Sequence, residues 1–242
     1  MGFFKRLFGL DEEEKKEREK LEAEPQYSGL KEIKRFSGTL AAFDKFIQKP
    51  GKIGIILGAR GSGKSALGMK VLENIESKSN REEYSSFALG FNPKKTPEWL
   101  GVVDNINEVP NNSFLLVDES GVNFSSRSSM SNANKLLSEL LLISRHKNIS
   151  IIFITQNSAN IEINTLRQAD YLLLKKSSLL QLDFERKKIK DIYESVARDF
   201  RKFENDKGLT YIYSDVYRGF VSNSLPSFWT EGLSKSYSGV EI

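Results

Sequence analysis

Apolar and polar positions follow two rhythms along this chain, and the change from one to the other outlines most of its secondary structure. Short apolar runs rich in β-branched residues stand at Ile53-Gly-Ile-Ile-Leu57, Phe114-Leu-Leu-Val117 and Ile151-Ile-Phe-Ile-Thr155. Runs of this length bounded by polar residues predict buried strands. Further strands are predicted at 86–91, 170–175 and 209–214. Between strands, apolar residues return at helical spacing, as Leu67, Val71 and Ile75 do after the first run. Helices are predicted near 39–48, from the loop after the first strand to about 78, near 133–147, around 161–168 and near 183–200. The stretch before Phe114 has no clear period, and the residues after 214 read as a loose tail. Strands alternating with helices predict an α/β fold, a parallel sheet with helices on both faces.

The N-terminus breaks both rhythms. Phe3, Phe4, Leu7 and Phe8 fall on one side of a predicted helix with Lys5 and Arg6 opposite. The segment is too short to span a bilayer and has no signal-peptide cleavage site. Arg6 stands where the myristoylation pattern needs Ser or Thr. Two roles fit, an interfacial amphipathic anchor and a docking segment for a partner or for the chain's own core. Residues 11–24 are a charge run with i,i+4 pairs such as Glu12–Lys16, a solvated helical linker that ends before Pro25. The expected organisation is an amphipathic segment and linker over 1–27, one globular domain over 28–230 and a C-terminal tail over 231–242.

Composition narrows the chemistry. The 242 residues are 28% charged and 11% aromatic, which suits a soluble domain with a real core. No apolar run approaches the roughly 20 residues of a membrane-spanning helix. Cysteine is absent and His146 is the sole histidine, so disulfides, thiolate metal sites and a Ser-His-Asp triad lack material. A net charge of +4 permits nucleic acid or anionic lipid as a partner without requiring either.

One loop carries most of the functional signal. Gly58, Ala59, Arg60, Gly61, Ser62, Gly63, Lys64 and Ser65 fit G-x-x-x-x-G-K-[ST], with Ala66 continuing into a helix. A strand before the loop and a helix after it are what this phosphate-binding element needs. Glycines let the backbone curl so that its N–H groups face phosphate oxygens, and the helix adds its positive end. Lys64 is expected to reach the β- and γ-phosphates, and the Ser65 hydroxyl to help hold Mg²⁺. Asp118 and Glu119 end the next strongly apolar strand. There an aspartate can share the Mg²⁺ shell with Ser65, and the adjacent glutamate can orient the attacking water. Asp118-Glu-Ser-Gly121 also fits the D-x-x-G of GTPases, but Asn205-Asp-Lys-Gly208 has the wrong order for a guanine-reading N-K-x-D. ATP is therefore the expected nucleotide.

A third constellation points to a family. Ser144-Arg145-His146-Lys147 precedes the strand that ends in Thr155-Gln156, with Arg145 and Gln156 eleven positions apart. With the loop and the acid pair, this resembles the FtsK–HerA superfamily of P-loop ATPases. Within it the chain is most similar to zonula occludens toxin-like and viral genome-packaging members, over roughly residues 50–175. The resemblance implies a core of strand order 5-1-4-3-2 that assembles as a ring, usually a hexamer. It implies Gln156 as the sensor of the γ-phosphate or water, and Arg145 as the finger reaching a neighbour's nucleotide. Read from the residues alone, Arg145 is also a cation at a helix C-terminus, and His146 is a surface residue. The implied function is ATP-driven translocation of DNA, as in viral or mobile-element genome packaging. The alternative is a phage-assembly or secretion ATPase at a membrane. Implied partners are further copies of the chain, DNA, and a membrane surface or a capsid or assembly protein, in the cytoplasm or at its membrane. The Ser-rich segment 121–134 is an ordinary surface loop or a substrate-touching one. The basic residues Lys175, Lys176, Arg186, Lys187, Lys188 and Lys190 form a solvated face or a nucleic-acid contact.

Overall fold

A computed structural model of the chain describes residues 23–78, 86–92, 96–119, 129–158, 161 and 163–230. The amphipathic segment, nearly all of the charged linker, most of the Ser-rich loop and the tail from 231 lie outside these.

The apolar runs form the middle of one sheet. Its strands are β1 (Lys31–Gly38), β2 (Ile53–Leu57), β3 (Ser86–Leu89), β4 (Leu100–Val103), β5 (Phe114–Asp118), β6 (Ser150–Thr155), β7 (Tyr171–Leu174), β8 (Leu209–Ser214) and β9 (Tyr217–Ser222). They lie in the order β1-β9-β8-β7-β2-β6-β5-β3-β4. With β2, β3, β5, β6 and β7 numbered one to five, the central part has the expected order 5-1-4-3-2. The sheet continues beyond that core at both edges. β4 adds a parallel strand beside β3, whereas β8, β9 and β1 pair antiparallel outward from β7. The parallel sheet expected from the sequence is present as this core, and the antiparallel strands beyond β7 extend it. The antiparallel pairing has a local cause, because only Asp215 and Val216 separate β8 from β9 and so short a link joins only antiparallel neighbours.

Helices cover both faces. α1 (Leu40–Ile47) and α2 (Lys64–Glu76) pack on one, while α3 (Ser129–Lys147) and α6 (Lys187–Lys202) pack on the other. Alternate strand residues serve opposite layers. Ile55, Leu57, Leu115 and Val117 join Ile192, Tyr193 and Val196 of α6, whereas Ile56 and Leu116 join Leu67, Val71 and Leu72 of α2. Two short helices, α4 (Ile163–Gln168) and α5 (Leu179–Phe184), and a 3-10 turn over Ile106–Glu108 complete the described elements. The single basic helix predicted near 183–200 is in fact α5 and α6. Glu185 and Arg186 between them are extended, and their side chains hold the segment after β6.

A buried clasp ties both ends of the described chain to α2. Glu73 is fully buried and bonds Lys70 at 2.8 Å, and it accepts from the backbone N–H of Gln26 at 3.3 Å and of Ser227 at 3.1 Å. Asn74 brackets Ser28, accepting from its N–H and donating to its carbonyl, both at 2.9 Å. Removing one member of a buried ion pair leaves the other charge uncompensated, at a cost of about 3–5 kcal/mol. Glu73→Ala is therefore expected to lower the melting temperature by on the order of 10 °C, measured by circular dichroism. A shift of only a degree or two would show that the clasp does not hold the fold.

Candidate nucleotide site

The phosphate loop lies where β2 gives way to α2. Gly63, immediately before the helix, has φ of 86°, a left-handed conformation that side chains rarely adopt. The first helical bond runs from Leu67 N–H to the Gly63 carbonyl at 3.0 Å. The N–H groups of Lys64, Ser65 and Ala66 thus stand ahead of the helical ladder, as anion binding at a helix N-terminus requires. Ser62 N–H closes the curl on the Ala59 carbonyl at 3.2 Å, and Arg60 is exposed at its outer side. Lys64 is 8% exposed and donates to the carbonyls of Gly58 and Ala59, each at 2.9 Å, so its ammonium lies within the loop. Burial lowers its pKa, with Asp118 and Glu119 acting in the opposite direction.

The acid pair meets this loop across the sheet. Ser65 Oγ donates to Asp118 Oδ2 at 2.7 Å, which brings together the two expected metal ligands. Glu119 is held on two sides, its N–H on the Ile154 carbonyl at 3.2 Å and its Oε2 accepting from Thr155 Oγ1 at 2.5 Å. Thr155 thus joins the candidate site, with a task that could not be assigned from the sequence. The only signal for it was its place before Gln156 at the strand tip. Gln156 is exposed at the end of β6, and its carbonyl accepts from Gln181 Nε2 of α5. Ser158 N–H donates to Glu185 Oε2 at 3.1 Å and Arg186 Nε donates to the Ser158 carbonyl at 3.0 Å, so α5 and its C-terminal residues fix the course of this segment.

Arg145 is not part of this cluster. It lies in the last turn of α3, exposed, with Nη2 donating to Gln168 Oε1 at 2.9 Å. β6 runs parallel to β2, pairing Ile53 with Ile151 and Leu57 with Thr155. Arg145 therefore sits at one end of that strand pair and the phosphate loop at the other. Six strand residues at about 3.3 Å each put roughly 20 Å between them, beyond the reach of an arginine side chain. His146 is exposed beside it. The basic residues further on do not share one face. Lys175 is buried, Arg186 holds Ser158, and Lys176, Lys187 and Lys188 are exposed.

Residues 68–176 match the family model of zonular occludens toxin (Zot), from just after the phosphate loop through the acid pair and the Arg145–Gln156 module. Among solved structures, the genome packaging NTPase B204 from Sulfolobus turreted icosahedral virus 2 in complex with AMPPCP is similar at 16% identity and a TM-score of 0.50, over 73% of this chain and 100% of that one. The DNA-packaging ATPase B204 from Sulfolobus turreted icosahedral virus is similar at 16% identity and a TM-score of 0.47, over 73% and 99%. The cytoplasmic domain of the Thermomonospora curvata type VII secretion ATPase EccC is similar at 13% identity and a TM-score of 0.47, over 74% and 24%. No curated protein matches the chain. Loop and strand order agree on a P-loop nucleotide-binding fold, and over residues 68–176 the chain is similar to the Zot family.

Proposed function

We propose that this ATPase is a motor subunit that hydrolyses ATP in a ring and moves nucleic acid, as in viral or mobile-element genome packaging. The observation that carries the proposal is the division of the expected site between the two ends of β6. Lys64, Ser65, Asp118, Glu119 and Thr155 converge at one end, and Arg145 stands exposed at the other. A chain with this layout completes its site only when a second copy brings its own Arg145 to the bound nucleotide. In this reading residues 58–66 hold the phosphates, with Lys64 against the β- and γ-oxygens. Glu119 orients the attacking water, kept on target by Thr155, and Gln156 senses the γ-phosphate. Ser65 and Asp118 offer adjacent hard oxygen donors, which suits Mg²⁺ bound by one or two side chains and the nucleotide's own phosphates. The ion would supply charge neutralisation at those phosphates. Residues 28–230 form the motor domain.

The Zot match supports a second reading, an assembly or secretion ATPase acting at a membrane. Among the described residues no helix is long and apolar enough to cross one. Steady-state ATPase rates with and without double-stranded DNA separate the two. A several-fold stimulation by DNA is the expected result. An unchanged rate, with hydrolysis stimulated instead by anionic vesicles, would favour the second reading and overturn the first.

A further inference from the structure

The sequence pairs Lys175 with Lys176 as neighbouring basic residues, but the structure gives them opposite surroundings. Lys176 points outward to Glu204. Lys175, the first residue after β7, is 2% exposed and runs beneath the phosphate loop. Its N–H donates to the Leu57 carbonyl at 2.8 Å, and the loop's Ala59 N–H donates to the Lys176 carbonyl at 3.0 Å, so the loop is laid directly on this segment. The Lys175 stem fills the space under two loop glycines. A Cβ added to Gly58 would come within 2.7 Å of Lys175 Cβ, and one added to Gly63 within 3.6 Å of Lys175 Cε. The ammonium is one bond further on. Its acceptors are the Lys207 carbonyl at 3.4 Å and Asn223 Oδ1 at 3.3 Å, both neutral and both at long range. A buried cation without a carboxylate bonded to it is costly unless other negative charge compensates it.

We infer that Lys175 is a second phosphate-binding cation of this site, acting through the floor of the loop on the polyphosphate that Lys64 meets from within. The inference rests on the nucleotide reading above, in which a ligand's phosphates bring negative charge to the loop that lies on Lys175. Both lysines then face one anion from two sides, and Gly58 and Gly63 are what allow the second to come close. A nucleoside triphosphate gains more from this than a monophosphate does, because more of its charge lies over the loop.

Burial pushes the Lys175 ammonium down to about 8, with Asp206 opposing that shift. The groups around it are Asp206 before β8, the backbone of Lys207, Asn223 after β9, Tyr193 of α6, whose hydroxyl donates to the Lys175 carbonyl at 3.0 Å, and Lys64 in the loop above. Tyr193 is held neutral by burial. Bound phosphate favours the charged lysine, so binding retains a proton that the free protein loses above about pH 8. Affinity must then fall as pH rises through that value.

The test is calorimetric titration of a non-hydrolysable ATP analogue into the full chain across that range. The parent is expected to lose about tenfold in affinity in total as pH rises through the transition and then to level off at the affinity of the uncharged form. Lys175→Met keeps the stem and removes the charge. It is expected to bind about tenfold more weakly at neutral pH and to have a flatter profile. Asp206→Asn retains Lys175 and the Oδ1 that accepts from Gly208 and Ser222. It is expected to move the fall in affinity to lower pH, and it decides the matter alone if Lys175→Met does not fold. Parent-like affinity and pH slope in Lys175→Met, or an unmoved transition in Asp206→Asn, would overturn the role of Lys175 while leaving nucleotide binding intact. A parent that binds no nucleotide at any pH would overturn both.

Discussion

Replacing Glu119 with glutamine is expected to leave ATP bound and to slow its hydrolysis by roughly two to three orders of magnitude. The substitution keeps size and one carbonyl oxygen, so Thr155 Oγ1 retains an acceptor where it now meets Glu119 Oε2 at 2.5 Å. What disappears is the charged oxygen that polarises water. Lys64 keeps its bonds to the Gly58 and Ala59 carbonyls, and Ser65 keeps its bond to Asp118. Affinity for ATP therefore stays within a few-fold of the parent while single-turnover hydrolysis collapses. Both are measurable, by equilibrium binding of a fluorescent ATP analogue and by rapid-quench release of phosphate. Hydrolysis at the parental rate would remove Glu119 from the water-orienting role, whatever its position beside Asp118.

Arg145→Ala carries the second large effect. If the guanidinium stabilises the transition state in a neighbouring site, hydrolysis falls by up to about 10³-fold with ATP affinity nearly unchanged. A purely structural arginine behaves differently. Among the described residues its hydrogen bond goes to Gln168 on an exposed surface, and its position in the last turn of α3 is worth only about 0.3–1 kcal/mol as a helix-terminal cation. Loss of that much stability moves the melting temperature by a few degrees at most and does not touch catalysis. Parallel melting curves and ATPase assays distinguish the cases. Catalytic loss without thermal loss is expected, whereas parental turnover would leave Arg145 a helix cap.

The central sheet was legible in the sequence because its strands are buried on both faces. Ile53–Leu57, Phe114–Val117 and Ile151–Thr155 read as continuous apolar runs, which is how parallel central strands must look. The edges were not legible, for three different reasons. β1 is half charged and mostly exposed, an edge strand blunted with Lys and Arg, so its composition hides it. β4 is four residues long and contains Gly101. β9 is interrupted by Gly219, where an added Cβ would lie 2.5 Å from the Lys34 carbonyl of β1, so the glycine that weakens the pattern is what lets the two strands pair. At the site, loop and acid pair were legible because each is a contiguous motif. The support around them comes from residues distant in sequence. Thr155 holding Glu119, Gln181 holding the Gln156 carbonyl and Lys175 beneath Gly58 are juxtapositions that no spacing rule encodes. Lys175 shows the limit well. Next to Lys176 it reads as surface charge, and only the course of β7 under the loop buries it.

The most direct measurement mixes two inactive variants. Glu119→Gln lacks the acid but presents Arg145, and Arg145→Ala lacks the finger but keeps an intact loop and acid. If the site is shared between copies, a mixed ring contains junctions where an Arg145→Ala subunit holds ATP beside a Glu119→Gln neighbour that supplies arginine. Combining the two proteins is then expected to restore part of the parental ATPase rate, rising with total protein concentration and greatest near equal proportions. An arginine acting within its own chain gives no complete site in either variant. Activity that stays at the sum of the two separate backgrounds across all mixing ratios, together with a parental specific activity independent of concentration, would contradict a ring motor with a shared site.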